Sequence, residues 1–286
     1  MSIISFNFST SGDKTWMMKY NQPLQIMPQT TKIPTETVIN SYPDCSKGEI
    51  RDSVIHTSYI TRPFTDLLEN GRLSKFIYNV QQYFKLCKQL NYKRLLIHLP
   101  QTDSEMKYLD DGMNELVKLF SNEKLVSLKD GEYITLVLEI PSFKSGFKEN
   151  VLQYFTKVIT GYFHKFKLNN VELCYDTAHL YANGLDCKDM ITLFESEVKG
   201  KKLIEYAKIF HLNGNQTPMG RSDRHVQMFD KTNRMTNTGK LMRYLKDKNK
   251  VLITENTTSH SYYKLWVRYA KHYNIAIVEE NEHIAA

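Results

Sequence analysis

Apolar and polar positions along the chain follow two alternating rhythms. Short apolar runs bounded by turn residues read as strands: Ser2–Phe8, Leu24–Met27, Ser53–Ile60 (SVIHTSYI), Lys93–Pro100 (KRLLIHLP), Ile134–Pro141 (ITLVLEIP), Val171–Tyr175, Ala207–Asn213 (AKIFHLN) and Val251–Asn256 (VLITEN). Between them apolar residues return every three or four positions, which predicts amphipathic helices. In Phe64–Asn91 that stripe is Leu67, Leu68, Leu73, Phe76, Ile77, Val80, Tyr83, Phe84 and Cys87. Ser104–Asn122, Lys148–Phe166, Asp186–Leu203, Thr238–Lys248 and Ser259–Asn274 read the same way.

Strands alternating with helices predict a parallel sheet. About eight strands in 286 residues fit a closed (β/α)8 TIM barrel, an α/β fold, as a single domain over residues 1–286. An open doubly wound sheet would need a glycine-rich phosphate loop after an early strand, and the sequence has none.

The chemistry lies where the strands end. His56, His98, Glu139, Asp176, His211 and Glu255 each stand near the C-terminal end of a separate apolar strand. In a barrel those ends converge on one face. A buried ionisable group is costly unless paired or bound to metal. One such residue is an ordinary hydrogen-bonded core group; a series of them predicts a metal site. Imidazoles and carboxylates without thiolates suit zinc and admit manganese or iron.

Two further ligand candidates follow from spacing. In Val171–Gly184 (VELCYDTAHLYANG), His179 stands three residues after Asp176. Alone, this pattern reads as a capping aspartate and a surface histidine. The loop Asn213–Phe229 contains SDRH, in which Asp223 and His225 are two apart and share one side of an extended segment. With His179 they form a candidate three-ligand site. Alone, Arg221, Asp223 and Arg224 read as a solvated charge run.

Composition narrows the classes. The chain is 41% hydrophobic and 24% charged, as in soluble globular proteins, and no apolar stretch approaches the ~18 residues of a membrane helix. The opening MSIISFNFSTSGDK lacks the basic start and long apolar core of a signal peptide. The net charge is +7, with lysines throughout, which permits a polyanionic partner. Cys45, Cys87, Cys174 and Cys187 form no C-x-x-C pair and read as free thiols in a reducing intracellular compartment.

Taken in order, His56, His98, Glu139, Asp176, His179, His211, Asp223, His225 and Glu255 resemble the ligand series of the endonuclease IV family of abasic-site endonucleases. LCYDTAH resembles that family's C-x-D-T-[CA]-H signature, and FHLN followed by DRH its H-L-N-D … D-R-H segment. LVLEIP and LITEN resemble its two glutamate strands, and HTSY its H-x-S-Y loop. The resemblance spans nearly the whole chain, whose compact form is similar to versions carried by large DNA viruses.

The resemblance implies three zinc ions, with manganese or iron admitted at some sites. His56, His98 and Glu139 would hold the first. Glu139 would bridge to the second, completed by Asp176, His211 and Glu255, which makes Glu139 and Glu255 the implied catalytic carboxylates. His179, Asp223 and His225 would hold the third. The implied reaction is hydrolysis of the phosphodiester 5′ to an abasic site in double-stranded DNA, leaving a 3′-hydroxyl. A monomer without membrane partners is expected, in the cytoplasm, the nucleus, a viral replication site or the virion.

The resemblance also implies DNA contacts. Tyr59 and Ile60 match the family's Tyr-Leu pair, which enters the minor groove. Gln29 matches a family glutamine, but Thr30 replaces the arginine expected beside it, and Lys32 is a substitute. Arg221 and Arg224 are expected to contact phosphates. Gly214 replaces the aspartate of H-L-N-D, Met228–Lys231 (MFDK) the glycine-rich run after D-R-H, and Asn7 a first-strand histidine. His164, His260, His272 and His283 match nothing.

Two rivals stand. A metal-dependent sugar isomerase on the same barrel would use two metals and have no need of the His179–Asp223–His225 trio. A catalytically inactive DNA-binding homologue would have no need of a complete ligand set. The strand ends carry no lysine for Schiff-base chemistry, and Lys93 and Arg94 sit at a strand start, so hydrolysis is expected over β-elimination.

Overall fold

A computed structural model describes residues 1–9, 24–28, 52–57, 64, 67, 73–143, 150–256 and 260–277. The strands are β1 (Ile3–Ser9), β2 (Leu24–Met27), β3 (Val54–His56), β4 (Arg94–His98), β5 (Thr135–Glu139), β6 (Val171–Asp176), β7 (Glu197–Val198), β8 (Lys201–Lys202), β9 (Ala207–His211), β10 (Gly214–Asn215), β11 (His225–Val226), β12 (Val251–Thr254) and β13 (Ala276–Ile277). The helices are α1 (Leu73–Leu90), α2 (Asp103–Met106), α3 (Leu109–Phe120), α4 (Glu123–Val126), α5 (Val151–Tyr162), α6 (Thr177–Ala182), α7 (Cys187–Glu195), α8 (Thr238–Leu245) and α9 (His260–Tyr273).

β1 to β6, β9 and β12 pair parallel in succession, and β12 returns to β1 through Ile3↔Val251 to Phe6↔Thr254. This closes a TIM barrel, as the alternation predicts. β13 pairs with the start of β1, whereas β2 pairs with its end.

Side chains alternate across each strand, so the barrel divides its apolar residues into two cores. Val54, Leu96, Val137, Cys174, Ile209, Val251 and Ile253 pack against one another as the interior layer. The outward residues, among them Leu95, Leu136, Leu138, Tyr175 and Phe210, meet Phe84, Phe120, Phe155, Phe194 and Trp266 in the surrounding shell. Packing of Phe155, Phe194 and Phe210 around Tyr175, at ring separations of 4.9, 4.9 and 5.2 Å, anchors β6 to this shell. Tyr175 also donates to Leu203 O at 2.7 Å, so its hydroxyl is satisfied.

Several elements differ from the sequence reading. The helix expected over Asp186–Leu203 ends at Glu195, and β7 and β8 form an antiparallel hairpin. Its two turn residues, Lys199 (φ 54°) and Gly200 (φ 75°), are both left-handed, the backbone a tight hairpin requires. The helix expected over Ser104–Asn122 divides into α2 and α3. Thr102 caps α2 by accepting from Glu105 N at 3.1 Å, and the buried Glu105 carboxylate accepts from Gln101 N at 2.8 Å. Local polar bonds thus close a short first turn before the apolar stripe of α3 begins. The helix expected over Phe64–Asn91 is described from Leu73 to Leu90, and Phe64 and Leu67 are also helical and buried. Helix α6 follows the capping reading of Asp176, whereas the β10–β11 pair and β13 lie outside the elements the sequence predicts.

Candidate metal centre

Each strand that ends in a candidate ligand places it two residues beyond an inward apolar residue. Val54 precedes His56, Leu96 precedes His98, Val137 precedes Glu139, Cys174 precedes Asp176, Ile209 precedes His211 and Ile253 precedes Glu255. The period of two carries the inward direction from the apolar layer to the barrel mouth. His56, His98, Glu139, Asp176, His179 and His211 are buried there; Asp223, His225 and Glu255 form the partly exposed rim.

Glu139 is the centre of the cluster and is wholly buried. Its Oε2 lies 3.0 Å from His98 Nε2 and 3.5 Å from His56 Nε2. Its Oε1 lies 3.0 Å from His211 Nδ1 and 3.3 Å from His179 Nδ1. His98 Nε2 and His56 Nε2 are themselves 3.2 Å apart.

Asp176 does two things at once. Its Oδ1 caps α6 by accepting from Ala178 N at 2.6 Å and His179 N at 3.0 Å. Its Oδ2 faces the mouth, 3.6 Å from His211 Nδ1 and 3.7 Å from His225 Nε2. The cap also fixes the start of α6, which carries His179 inward. Asp223 joins this side of the centre, 3.3 Å from His179 Nε2 and 3.0 Å from His225 Nε2. Glu255 lies 3.5 Å from His211 Nδ1 and 3.7 Å from His225 Nδ1. All nine predicted ligands therefore meet in one contiguous cluster.

The electrostatics are those of opposed charges in a largely buried site. Burial alone would raise Asp176, but the facing His179 and His225 bring it down to about 2. Burial would likewise raise Glu139, yet His211 and His98 hold it well below the usual carboxylate range. Burial lowers His98. It also disfavours charge on His225, but Asp176 and Asp223 outweigh it and raise that ring to about 9.

The donor set fits divalent metal. Glu139 Oε2, Asp223 Oδ1 and His225 Nε2 are buried and make no hydrogen bond, although nitrogen or oxygen partners lie close by. Leaving a buried polar atom unsatisfied costs about 1–3 kcal/mol. With the rings neutral, a cation would satisfy these converging nitrogen and oxygen atoms together. His56–His98–Glu139, His56–His211–Glu255 and Asp176–His179–His225 each bring their ligand atoms within 4.8 Å of one another. Cys174 reaches a similar group with Glu139 and His211, but burial pushes its thiol up to about 12 and it packs in the apolar layer.

A family model of xylose isomerase-like TIM barrels matches residues 45–272. The chain belongs to the xylose isomerase-like TIM barrel family. Among curated relatives it is 25% identical over 209 residues to the Probable AP endonuclease of African swine fever virus (isolate Tick/South Africa/Pretoriuskop Pr4/1996), covering 69% of this chain and 64% of that protein. It is 25% identical over 180 residues to the Probable endonuclease 4 of Mycoplasmopsis synoviae (strain 53), covering 62% and 59%. The matches thus span less than two thirds of the relatives' length. Among solved structures, endonuclease IV from Thermus thermophilus superposes with a TM-score of 0.67 at 16% identity, covering 95% of this chain and 98% of that one. A xylose isomerase domain protein from Planctomyces limnophilus superposes with a TM-score of 0.63 at 12% identity, covering 95% and 98%. The names of the relatives agree with the endonuclease IV resemblance, and the superpositions with the barrel.

Within this xylose isomerase-like barrel, two supporting amides escaped the sequence reading. Asn213 donates to Asp176 Oδ2 at 2.8 Å and Glu255 Oε2 at 3.0 Å, and accepts from Glu255 N at 3.1 Å. Gln25, on β2, contacts both Glu255 and His211. Its signal is a polar residue inside the apolar run LQIM, and that of Asn213 is its place at the strand end in FHLN, where the loop begins.

The departures from the endonuclease IV pattern acquire a physical reason. A Cβ on Gly214 would stand 2.7 Å from Asn233 Cγ. Asn233 fills the space an aspartate would need, accepting from Asn215 N at 3.0 Å and Met235 N at 3.1 Å and donating to Met228 O at 2.8 Å. Met228 is buried, and Phe229 packs 5.1 Å from Trp266 and 5.6 Å from Tyr269. The MFDK segment thus anchors the ligand-bearing loop to α9 by apolar contact. Arg221 and Arg224 are exposed on that loop, as are His164 and His272 elsewhere. Gln29, Thr30, Lys32, Cys45, Tyr59, Ile60, His283 and the side chains of Asn7 and His260 lie outside the described residues.

Proposed function

We propose that this chain is a zinc-dependent abasic-site endonuclease with a trinuclear centre. The observation that supports it best is the His179–Asp223–His225 trio, joined to the Glu139 cluster through His179 Nδ1 and Glu139 Oε1 at 3.3 Å. A two-metal sugar isomerase has no need of this third set. His56, His98 and Glu139 would hold one ion; Glu139, Asp176, His211 and Glu255 a second; His179, Asp223 and His225 a third.

When bound, zinc supplies Lewis acidity toward the phosphodiester and acidifies water at neutral pH. The chain's part is to fix the geometry. Glu139 presents one oxygen to each half of the cluster. Asn213 ties Asp176 to Glu255, so two carboxylates move as a unit. Arg221 and Arg224 flank Asp223 and supply charge for the DNA backbone. Tyr59 and Ile60 are the proposed minor-groove wedge, and Gln29 a further DNA contact. The reading takes residues 1–286 as one domain acting as a monomer on double-stranded DNA carrying abasic sites, inside the cell.

The test is a nicking assay on a duplex with one abasic site, run without added magnesium, together with elemental analysis of the same preparation. Metal-bearing protein is expected to cut 5′ to the site and leave an end that a polymerase extends directly. A blocked 3′ end, or a borohydride-trapped adduct, would sink the hydrolytic reading. Ketose formation from an aldose without nicking would favour the isomerase.

A further inference from the structure

Strand β2 supplies none of the nine ligands, yet Gln25 on it is wholly buried at the mouth of the barrel. Its Nε2 lies 2.9 Å from Glu255 Oε1, and its Oε1 lies 2.8 Å from His211 Nε2. A carboxylate accepts and cannot donate. The Gln25 face toward Glu255 must therefore be the NH2 group, because the reverse would bring two acceptor oxygens together. The Gln25 oxygen is then left facing His211, and only an Nε2–H can satisfy it. Once Nε2 carries the proton of a neutral ring, the lone pair lies on Nδ1. That atom faces Glu139 Oε1, Glu255 Oε1 and Asp176 Oδ2 at 3.0, 3.5 and 3.6 Å.

We propose that Gln25 is the positioning residue of this centre: Glu255 orients its amide, and the amide sets the tautomer that turns His211 Nδ1 toward the metal. The inference rests on the metal-centre reading above. Metal-ligating histidines generally donate their other ring N–H to an acceptor, and loss of that acceptor typically costs about 10–100-fold in metal affinity. Gln25 differs from a simple acceptor because it also donates to a second candidate ligand. It therefore couples β2, β9 and the end of β12 through one side chain.

The experiment compares wild type, Gln25→Leu and Gln25→Glu, each loaded with zinc chloride and carrying 15N-labelled histidine. Two-bond proton–nitrogen spectra read the ring proton, and chelator competition reads affinity. Wild-type His211 is expected to carry its proton on Nε2. Gln25→Glu keeps the acceptor and should keep that pattern, with weaker zinc binding because Glu255 loses its donor. Gln25→Leu should lose the fixed pattern and bind zinc about 10–100-fold more weakly. Wild-type His211 protonated at Nδ1 with zinc bound overturns the role of Gln25 while leaving the metal centre standing, and this measurement needs no variant to fold. Unchanged affinity and tautomer in Gln25→Leu overturns it too. Wild-type protein that takes up no zinc overturns both readings.

Discussion

His98 and Glu139 are register partners on β4 and β5, with Nε2 and Oε2 3.0 Å apart. Glu139 Oε2 accepts no hydrogen bond despite that approach. Neighbouring strands hold the two side chains together at the mouth. Glu139→Gln replaces an anionic oxygen with neutral amide while leaving the strand ladder intact. Nicking is expected to fall by more than about 100-fold, beyond the usual cost of a supporting residue, with bound metal reduced and circular dichroism unchanged. Near-normal turnover would show that the bridge is another residue.

The third trio should be separable. Asp223→Asn removes the anion between His179 Nε2 and His225 Nε2. It leaves His56, His98 and Glu139 untouched. Elemental analysis should show one ion fewer than wild type. Complete loss of metal, or none lost, would count against three distinct sets.

Gly214→Asp should destabilise the protein. The new Cβ would displace Asn233, whose amide organises the backbone at Asn215, Met228 and Met235. Overpacking of this kind costs about 1–3 kcal/mol. Chemical denaturation would measure it, and the added Asn233→Ala change should relieve part of the clash. An aspartate accepted without cost would show that Asn233 moves freely.

The strand-end cluster was legible because one period-two rule governs both the apolar layer and the mouth. Once Leu96 and Val137 face inward, His98 and Glu139 must follow. Closure was legible from the strand and helix alternation. Less visible was the segment after Ser196, where the Lys199–Gly200 hairpin interrupts the helical rhythm through backbone conformation rather than apolar spacing. Asp176 exposed a different limit. Capping and a place at the mouth read as alternatives in the sequence, yet its two oxygens divide them, Oδ1 capping α6 and Oδ2 facing the mouth. Gln25 offers only the weak signal of a polar residue inside LQIM, because its partners lie on β9 and beyond β12, distant in sequence.

Lys250 gives a pH prediction away from the centre. Burial, with Lys208 nearby, lowers its pKa from 10.5 to about 8. Its ammonium donates to Ile204 O at 2.8 Å and Ala207 O at 2.6 Å. Below both values it is charged folded or unfolded. Between them the unfolded chain holds a proton that the folded chain has released, so this group's contribution to stability rises with pH across that window. Lys250→Met should remove that rise. Urea unfolding of both proteins at the two ends of the window would detect it; identical slopes would contradict the assignment.

The pairing of β1 with β12 sets an order on synthesis. A chain leaving the ribosome can lay down β1 through β9 as a curved open sheet, but β1 has no second neighbour until Val251–Thr254 has emerged. Glu255 follows one residue after that strand, so the last member of the strand-end cluster arrives with the strand that shuts the ring. Such distant contacts form late because loop closure must precede them. A nascent chain therefore lacks both a sealed barrel and the complete strand-end cluster until the same moment, so under the proposed metal-centre reading activity would wait on closure.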